Sequence, residues 1–572
     1  MQKRLLLTAE VASSQQTDVN SNVSRELESA EEGTMLHIAP SAIDKLRRFC
    51  YLGRIKQPVY APTTFDLTVE AHFEALRELC GKVNENELIE CLRDVLDASN
   101  DQYLPRHDEA ILVLAVYLST CPDEKHRTLV RGYFAALVRT SQELFLFVKF
   151  VKQVQKLLDR KTPFSRTVRK AVLEWYQHQA LDKLLHMWSL GDCNSAQHRE
   201  LLQRCHYMSA KFDADKMAAL RVVSAPSKDL INWPDYLEPL AQCKETIQGI
   251  ANLRLTPNAE AALPLIEKMS LSYEHLPRRL VSDQKVVNLL MAKMTYDQML
   301  QSWPTFLKLN RSNRHAQTCF TQRFFDPSEL RAANVEPLRL LLQEARGFSR
   351  KKVITKGVVS PRPSSIIQKL YKQSFGFNKP LGLRLHITIN LEMVYLRKYL
   401  LGRFRSIKYI DAVLAIAFGY FKCDPKVTVR IWYDKTGKLK ALPWTPAMSV
   451  DEAKATCESQ KVVKIKQTLI DVIDDALQDT EQTYDVFLVL VPCGTRGNQR
   501  NKSEQLCKRL DEYREKRNKD AKFIILSLRQ QHGSMGYSSE RNENILELCS
   551  ISEQTPRLIN AFAHVEVINH MI

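Results

Sequence analysis

Between Pro40 and about Phe377 the apolar residues recur three and four positions apart, the spacing of one helix face; EAHFEALRELCGKV, DEAILVLAVYLSTC, TLVRGYFAALVRT, ELFLFVKFVKQVQKLL and PLRLLLQEAR are clear examples. The connections, such as CPDEKH and SLGDCNS, are short and carry Pro, Gly, Asn or Asp, residues that stop helices and form turns. Many helices joined this way predict a stacked helical-repeat array, and the lack of a crisp period makes the repeats degenerate. Residues 1–37 are rich in Ser, Glu and Asn without sustained apolar periodicity, which predicts a disordered tail.

After Pro380 the pattern changes. In LRLHITINL, Leu383, Leu385, Ile387, Ile389 and Leu391 alternate with Arg384, His386, Thr388 and Asn390, the period of a strand. Strand-like VTVRIWYD, YDVFLVLV and KFIILSL follow. Between them stand helical YLRKYLLGRF, IDAVLAIAFGYF, AKATCESQKVVKIKQTLIDVIDDAL, KSEQLCKRLDEYREKR and PRLINAFAHV. This order predicts a doubly wound α/β domain with a mainly parallel sheet, and the near-continuous apolar runs of the later strands predict cover on both faces. The fold class is therefore α plus α/β, with a tail over 1–37, a helical-repeat domain over 38–377 and an α/β domain over 378–572.

A chain of 572 residues, 44% hydrophobic and 26% charged, fits two or more globular domains. No stretch is long and apolar enough to span a bilayer, and the opening MQKRLLLTAEVASS is too short in apolar residues for a secretory signal. Thirteen cysteines without a CxxC pair suit neither a disulfide framework nor a zinc knuckle. They point to a reducing compartment, the cytoplasm and also the nucleus.

The net charge of +17 and pI near 9.2 favour a polyanionic partner. Its densest expression is Ala345 to Leu391, where ten Lys or Arg stand with no Asp or Glu. Among them are Arg346, Arg350, Lys351, Lys352 and Lys356, and Phe348, Tyr371, Phe375 and Phe377 are interleaved. A charge run is commonly a solvated face. Cations beside aromatic rings also suit phosphate contacts with base stacking, which makes this window a candidate RNA site.

SAIDKLRRFCYLG, ELFLFVKFVKQVQKLL, FSRTVRKAVLEWYQHQ and HRELLQRCHY, then the basic Gly-Phe segment, NILELCSI and RLINAFAHVEVINHMI occur in this order. The chain thereby resembles the Ro autoantigen family, the TROVE-module RNA-binding proteins of Ro ribonucleoproteins, over about residues 38–572. The resemblance implies a ring of degenerate HEAT-like repeats clasped by a von Willebrand factor type A domain. It implies small noncoding RNA partners: Y-like RNA on an outer basic surface and single-stranded 3′ ends of misfolded RNA in the ring's hole, for RNA quality control. No catalytic activity, cofactor or membrane is expected. A monomer is expected, with an exonuclease as a candidate partner. His206 matches the family histidine needed for Y RNA binding, against the plainer reading of a core histidine on an amphipathic helix. Arg166, Arg169 and Lys170 match basic family positions on the helix that ends in Trp175 and Tyr176; Trp175 itself reads as core. Further basic family positions fall near Ser189 and Cys193, where this chain has no basic residue.

The A-domain resemblance also implies a metal site after the first strand, with later ligands after the fourth. The aligned residues are Thr388, Asn390 and Glu392, with Val491 and Pro492 in place of the later Thr and Asp. Mg²⁺ needs carboxylates to hold it, and one is left, so the site reads as degenerate and no metal is expected. Two other function classes stand beside RNA binding. One is a helical-repeat protein-interaction scaffold with an adhesion-type A domain. The other is a basic nuclease, against which no HxH, paired acidic cluster or P-loop appears; GTRGNQRNKS reads as a basic loop.

Overall fold

The computed structural model describes residues 41–53, 59–60, 67–97, 107–160, 162, 164–190, 192–310, 312–349, 364–377, 380–401, 404–433, 437–463, 465, 468–493, 499–530 and 544–564. The tail over 1–37 lies outside these residues. From Ala42 to Ser374 the regular elements among the described residues are helices, apart from one two-residue strand. Each helix packs an apolar stripe: Val168, Ala171, Val172, Trp175 and Tyr176 are the buried face of Arg166–His178. The helix Asp108–Thr120 is buried on all sides, contributing Ile111 to Leu118 to the core without interruption.

The strands are β1 (Val59–Tyr60), β2 (Leu385–Ile389), β3 (Val427–Trp432), β4 (Leu439–Ala441), β5 (Val486–Val491), β6 (Lys522–Ser527) and β7 (Ile545–Cys549). They form one sheet in the order β1-β7-β6-β5-β2-β3-β4, parallel except for the β3–β4 pair. Both faces are covered, as the apolar runs predict. Val486, Leu488 and Leu490 join the core shared with the helical array, while Phe487, Val489 and Val491 pack with Ile473, Leu510 and Tyr513 on the other side.

The edge strand β1 belongs to the helical part of the chain. Val59 pairs with Glu547 and Tyr60 with Leu548, and Ala42–Leu52 packs on Thr555–Ala563. The far end of the array, Pro337–Ser349, packs against Leu414–Phe418 of the α/β domain. Both ends of the array are thus fastened to one α/β domain, which closes it.

Four local expectations are corrected. YLRKYLLGRF is not a helix: after the short Met393–Leu396 turn, Tyr399 pairs antiparallel with Lys408 and the Leu400 N–H donates to the Ile407 carbonyl at 2.8 Å. Leu396, Leu400 and Phe404 are buried, so their helix-like spacing records three anchors along a loop. AKATCESQKVVKIKQTLIDVIDDAL divides into Val450–Ser459 and Ile470–Gln478, with Lys461 in the left-handed region that ends a helix. TLVRGYFAALVRT breaks between Gly132 and Phe134. In GTRGNQRNKS, Gln499 to Ser503 open the helix Gln499–Lys516 rather than forming a loop.

Candidate nucleic-acid interface

Helix Arg166–His178 is capped by Ser165, whose Oγ accepts from the Val168 N–H at 3.3 Å. With its apolar face fixed inward, Arg166 and Lys170 are exposed and Arg169 is half-buried. Trp175 is core, as its position implies: it is fully buried, and its Nε1–H donates to the Val138 carbonyl at 2.6 Å. Next along the chain, helix Asp192–Arg204 ends at Cys205, which is buried. Burial pushes that thiol up to about 12, and the guanidinium of Arg169 opposes the rise.

His206 is exposed, at φ 56° and ψ 47° in the left-handed region. The core-histidine reading is therefore wrong for His206. The buried histidine of this stretch is His198, whose Nδ1 lies 2.6 Å from Tyr176 Oη and whose ring packs 4.6 Å from Phe145. Left-handed backbone costs a non-glycine residue about 1 kcal/mol, so the turn holds the imidazole outward against a local penalty.

The structure adds three cations that the apolar pattern of the sequence conceals. Lys149, Lys152 and Lys156 stand exposed along one face of Ser141–Leu157, at spacings of three and four. Lys152 Nζ lies 5.8 Å from the ring centroid of Phe164, just before Arg166, and 3.7 Å from Glu200 on the helix Asp192–Arg204. It ties the stripe to both neighbouring helices. Their signal was present in VKFVKQVQK, beneath the apolar pattern. Lys149, Lys156, Arg166, Arg169, Lys170 and His206 make no ion pair among the described residues. Ser189 is buried and donates to the His186 carbonyl at 2.7 Å, so that position faces inward; the Cys193 side chain lies outside the described residues.

The acid-free window divides. Arg350, Lys351, Lys352 and Lys356 lie outside the described residues, and Arg346 is described only as a position on Pro337–Ser349. Several described members do structural work instead. Lys369 sits over Phe325 at 4.7 Å, Lys372 pairs with Asp451 at 2.5 Å, and Arg384 forks onto Asp485 at 2.5 and 3.1 Å. Phe375 is buried against Tyr371 and Phe418, and Phe377 packs on the core beneath Arg331. The expectation that these rings stack on bases is corrected for Phe375 and Phe377.

At the sheet's carboxyl end, Thr388 and Asn390 are already engaged by neighbouring groups of the fold. Thr388 lies inside β2, fully buried, with Oγ1 3.2 Å from His386 Nδ1. Asn390 uses Oδ1 to accept from the Glu392 N–H at 2.9 Å, and its carbonyl accepts from buried Tyr409 Oη at 2.9 Å. Tyr395, Tyr409 and Cys493 are close neighbours there. Aromatic rings and a thiol beside one half-buried carboxylate do not suit a hard, hydrated ion such as Mg²⁺, so the residues present do not fit the metal the A-domain resemblance implies.

A model of the TROVE domain matches residues 31–241, and one of the Ro60 vWA domain matches residues 385–563. Among solved structures, the crystal structure of Deinococcus radiodurans RO (RSR) protein is similar with a TM-score of 0.72 at 20% identity, covering 92% of this chain and 100% of that one. Comparison with curated proteins gives no match.

Proposed function

Because this chain belongs to the Ro60-like TROVE proteins, and is thereby a Ro-type RNA-binding protein, we propose that it binds Y-like small RNA and the single-stranded 3′ ends of misfolded noncoding RNA, in RNA quality control. The observation that carries this is the set of cations without ion-pair partners among the described residues: Lys149, Lys156, Arg166, Arg169 and Lys170, with His206 exposed on the left-handed turn that follows the next helix. Like charges gathered without counter-charges repel one another, and phosphate oxygens relieve that repulsion while releasing condensed counterions. The cations before Ser364, including Arg350, Lys351 and Lys352, are proposed to meet the single-stranded ends.

The protein holds RNA and does no chemistry on it; trimming of a bound 3′ end falls to a separate exonuclease. It acts as a monomer in the cytoplasm, and in the nucleus as well. Among the described residues no helix is long and apolar enough to cross a membrane.

Filter binding of a structured small RNA carrying a single-stranded 3′ tail tests the proposal. Affinity should fall steeply with salt, and Arg166→Glu with Lys170→Glu should lower the log–log slope by about one for each phosphate no longer neutralised. Reversing Arg350, Lys351 and Lys352 should weaken tailed RNA more than blunt duplex. Cleavage of the RNA by the purified chain, or binding indifferent to salt, would sink this reading.

A further inference from the structure

The short turn over residues 277–283, between Tyr273–His275 and the helix Gln284–Leu290, carries an exposed serine soon after two arginines, in the order Arg278, Arg279, Leu280, Val281, Ser282. The turn is built rather than loose. Pro277 and Leu280 are buried, the Leu280 and Val281 N–H groups donate to the Pro277 carbonyl at 2.9 and 3.4 Å, and the Asp283 N–H donates to the Leu280 carbonyl at 3.0 Å. These are helix-like bonds, which bring residues three and four apart to one side. Ser282 Oγ accordingly donates to the Arg278 and Arg279 carbonyls at 2.9 and 3.1 Å.

The side chains around that hydroxyl are mainly cationic. Arg278, Arg279 and Lys285 are all exposed, and neither arginine forms an ion pair among the described residues. Lys285 Nζ meets Glu260 at 2.9 Å. The adjacent acid, Asp283, is occupied by the next helix, since its Oδ1 accepts from the Lys285 and Val286 N–H groups at 2.8 and 3.3 Å. Arg279 is committed to backbone: its Nη2 donates to the Arg254 and Thr256 carbonyls at 2.7 Å each, at the end of the helix Lys244–Leu255. The same Arg-x-x-Ser spacing recurs from Arg221 to Ser224. There the serine is half-buried and its Oγ lies 2.8 Å from Tyr207 Oη, so exposure separates Ser282 from it where spacing does not.

We propose that Ser282 is a phosphorylation site for an arginine-directed serine kinase, and that its phosphate draws Arg279 off the end of Lys244–Leu255. Such a kinase reads an arginine three residues before its serine with carboxylates of its own, and Arg279 supplies that charge. The serine oxygen bonds to the γ-phosphorus of a nucleoside triphosphate and the bond from that phosphorus to the bridging oxygen breaks. The nucleoside diphosphate leaves, and the hydroxyl proton passes to the kinase's base. The product gains about two negative charges and loses the O–H that meets the Arg278 and Arg279 carbonyls. A phosphate offers a guanidinium a full counter-charge and a bidentate fit that two neutral carbonyls do not. Arg279 therefore exchanges the carbonyls for the phosphate, with Arg278 beside it, and the helix end loses its cross-link. The proposal stands independently of RNA binding, because it uses none of the cations assigned to RNA.

The test incubates the full-length folded protein with ATP, Mg²⁺ and calmodulin-dependent kinase II, an Arg-x-x-Ser kinase, and maps the phosphorylated residues by mass spectrometry. Ser282 should be modified at least about tenfold faster than Ser224. Arg279→Gln should slow modification of Ser282 by about tenfold or more, and Arg279→Lys, which keeps a cation, should restore part of the rate. Circular dichroism checks that each variant folds, and the comparison of Ser282 with Ser224 needs no variant. In the phosphoprotein, hydrogen exchange at the amides of residues 252–258 should rise by about tenfold or more, and kinase-treated Ser282→Ala should show no rise. No phosphate on Ser282, modification only after heat unfolding, a rate equal to that of Ser224, or unchanged exchange in the phosphoprotein would each overturn the proposal.

Discussion

Acidification should destabilise the helical array through His198 before it touches the surface. The ring is fully buried, and its one hydrogen-bond partner is Tyr176 Oη at Nδ1, while Nε2 meets no acceptor. A protonated imidazole would carry two N–H groups here and a charge with no counter-charge to meet it. Burial accordingly pulls its pKa down from 6.5 to about 4. The unfolded chain takes up the proton below 6.5 and the folded chain does not, so stability falls as pH drops from 6.5 and stops falling below about 4. At 1.36 kcal/mol per pH unit the gap corresponds to roughly 3 kcal/mol. Glu143, held low by its hydrogen bond from His107, gives up its contribution only below its ordinary value of 4.5, under the window of His198. The informative quantity is thus a difference: urea midpoints of the protein and of His198→Asn, which keeps an acceptor near Tyr176, measured from pH 7.5 to 4.5 by tryptophan fluorescence. The gap between the two should shrink by most of those roughly 3 kcal/mol on acidification. Parallel pH profiles would show that His198 is protonated without cost in the fold and that the packing argument is wrong.

His206→Gly should raise stability by up to about 1 kcal/mol, because glycine adopts the left-handed turn without penalty, and should weaken binding of a Y-like hairpin; loss of stability would contradict the exposed placement. Trp175→Ala, which removes a buried ring and its bond to Val138, should cost about 3–5 kcal/mol in chemical denaturation; a cost near zero would mean the ring is not core. Melting the full-length protein in EDTA and then in millimolar Mg²⁺ should give the same midpoint. A working site would add about 2.7 kcal/mol at a hundredfold excess over its dissociation constant, so a rise abolished by Glu392→Ala would refute the degenerate-site reading. The full chain is needed because β7 pairs with Val59 and Tyr60 of the helical part.

Most of the architecture was legible because burial imposes a period. Phe487, Leu488 and Val489 must be apolar in succession if both faces of a strand are covered, and Val168, Val172 and Trp175 must recur if one face of a helix is. What escaped was decided between distant segments. Two residues, Val59 and Tyr60, carry no strand period, and their pairing depends on β7, nearly five hundred positions away. His198 and His206 look alike in HRELLQRCHY; packing against Phe145 and Tyr176 buries one, and a turn expels the other. Phe375 among lysines reads the same as a stacking platform or as a core residue flanked by solvated cations. Thr388, Asn390 and Glu392 alternate as ligands would, yet the strand ends at Ile389 and leaves Thr388 inside it.

The same distinction between local pattern and distant partner governs the charge. Several arginines serve the fold by closing helix ends. Arg160 donates to the Ser119 carbonyl at 3.1 Å, Arg199 to Ala225 at 2.8 Å, Arg254 to Leu190 at 3.2 Å, Arg279 to Arg254 and Thr256 at 2.7 Å each, and Arg323 to Met291 and Met294 at 2.6 Å each. Carbonyls at or just beyond a helix's last turn lack intrahelical partners and sit at the negative end of its dipole. A guanidinium that reaches two of them links neighbouring helices in a way that a point-charge lysine would not. These cations count toward +17 while being committed to backbone, so net charge overstates what is free to meet phosphate. The cations proposed to meet Y-like RNA are a smaller set around Lys149, Arg166, Lys170 and His206, where the side chains stand exposed without ion-pair partners among the described residues. Affinity for RNA, and its dependence on salt, should therefore track those positions rather than the arginine count of the chain.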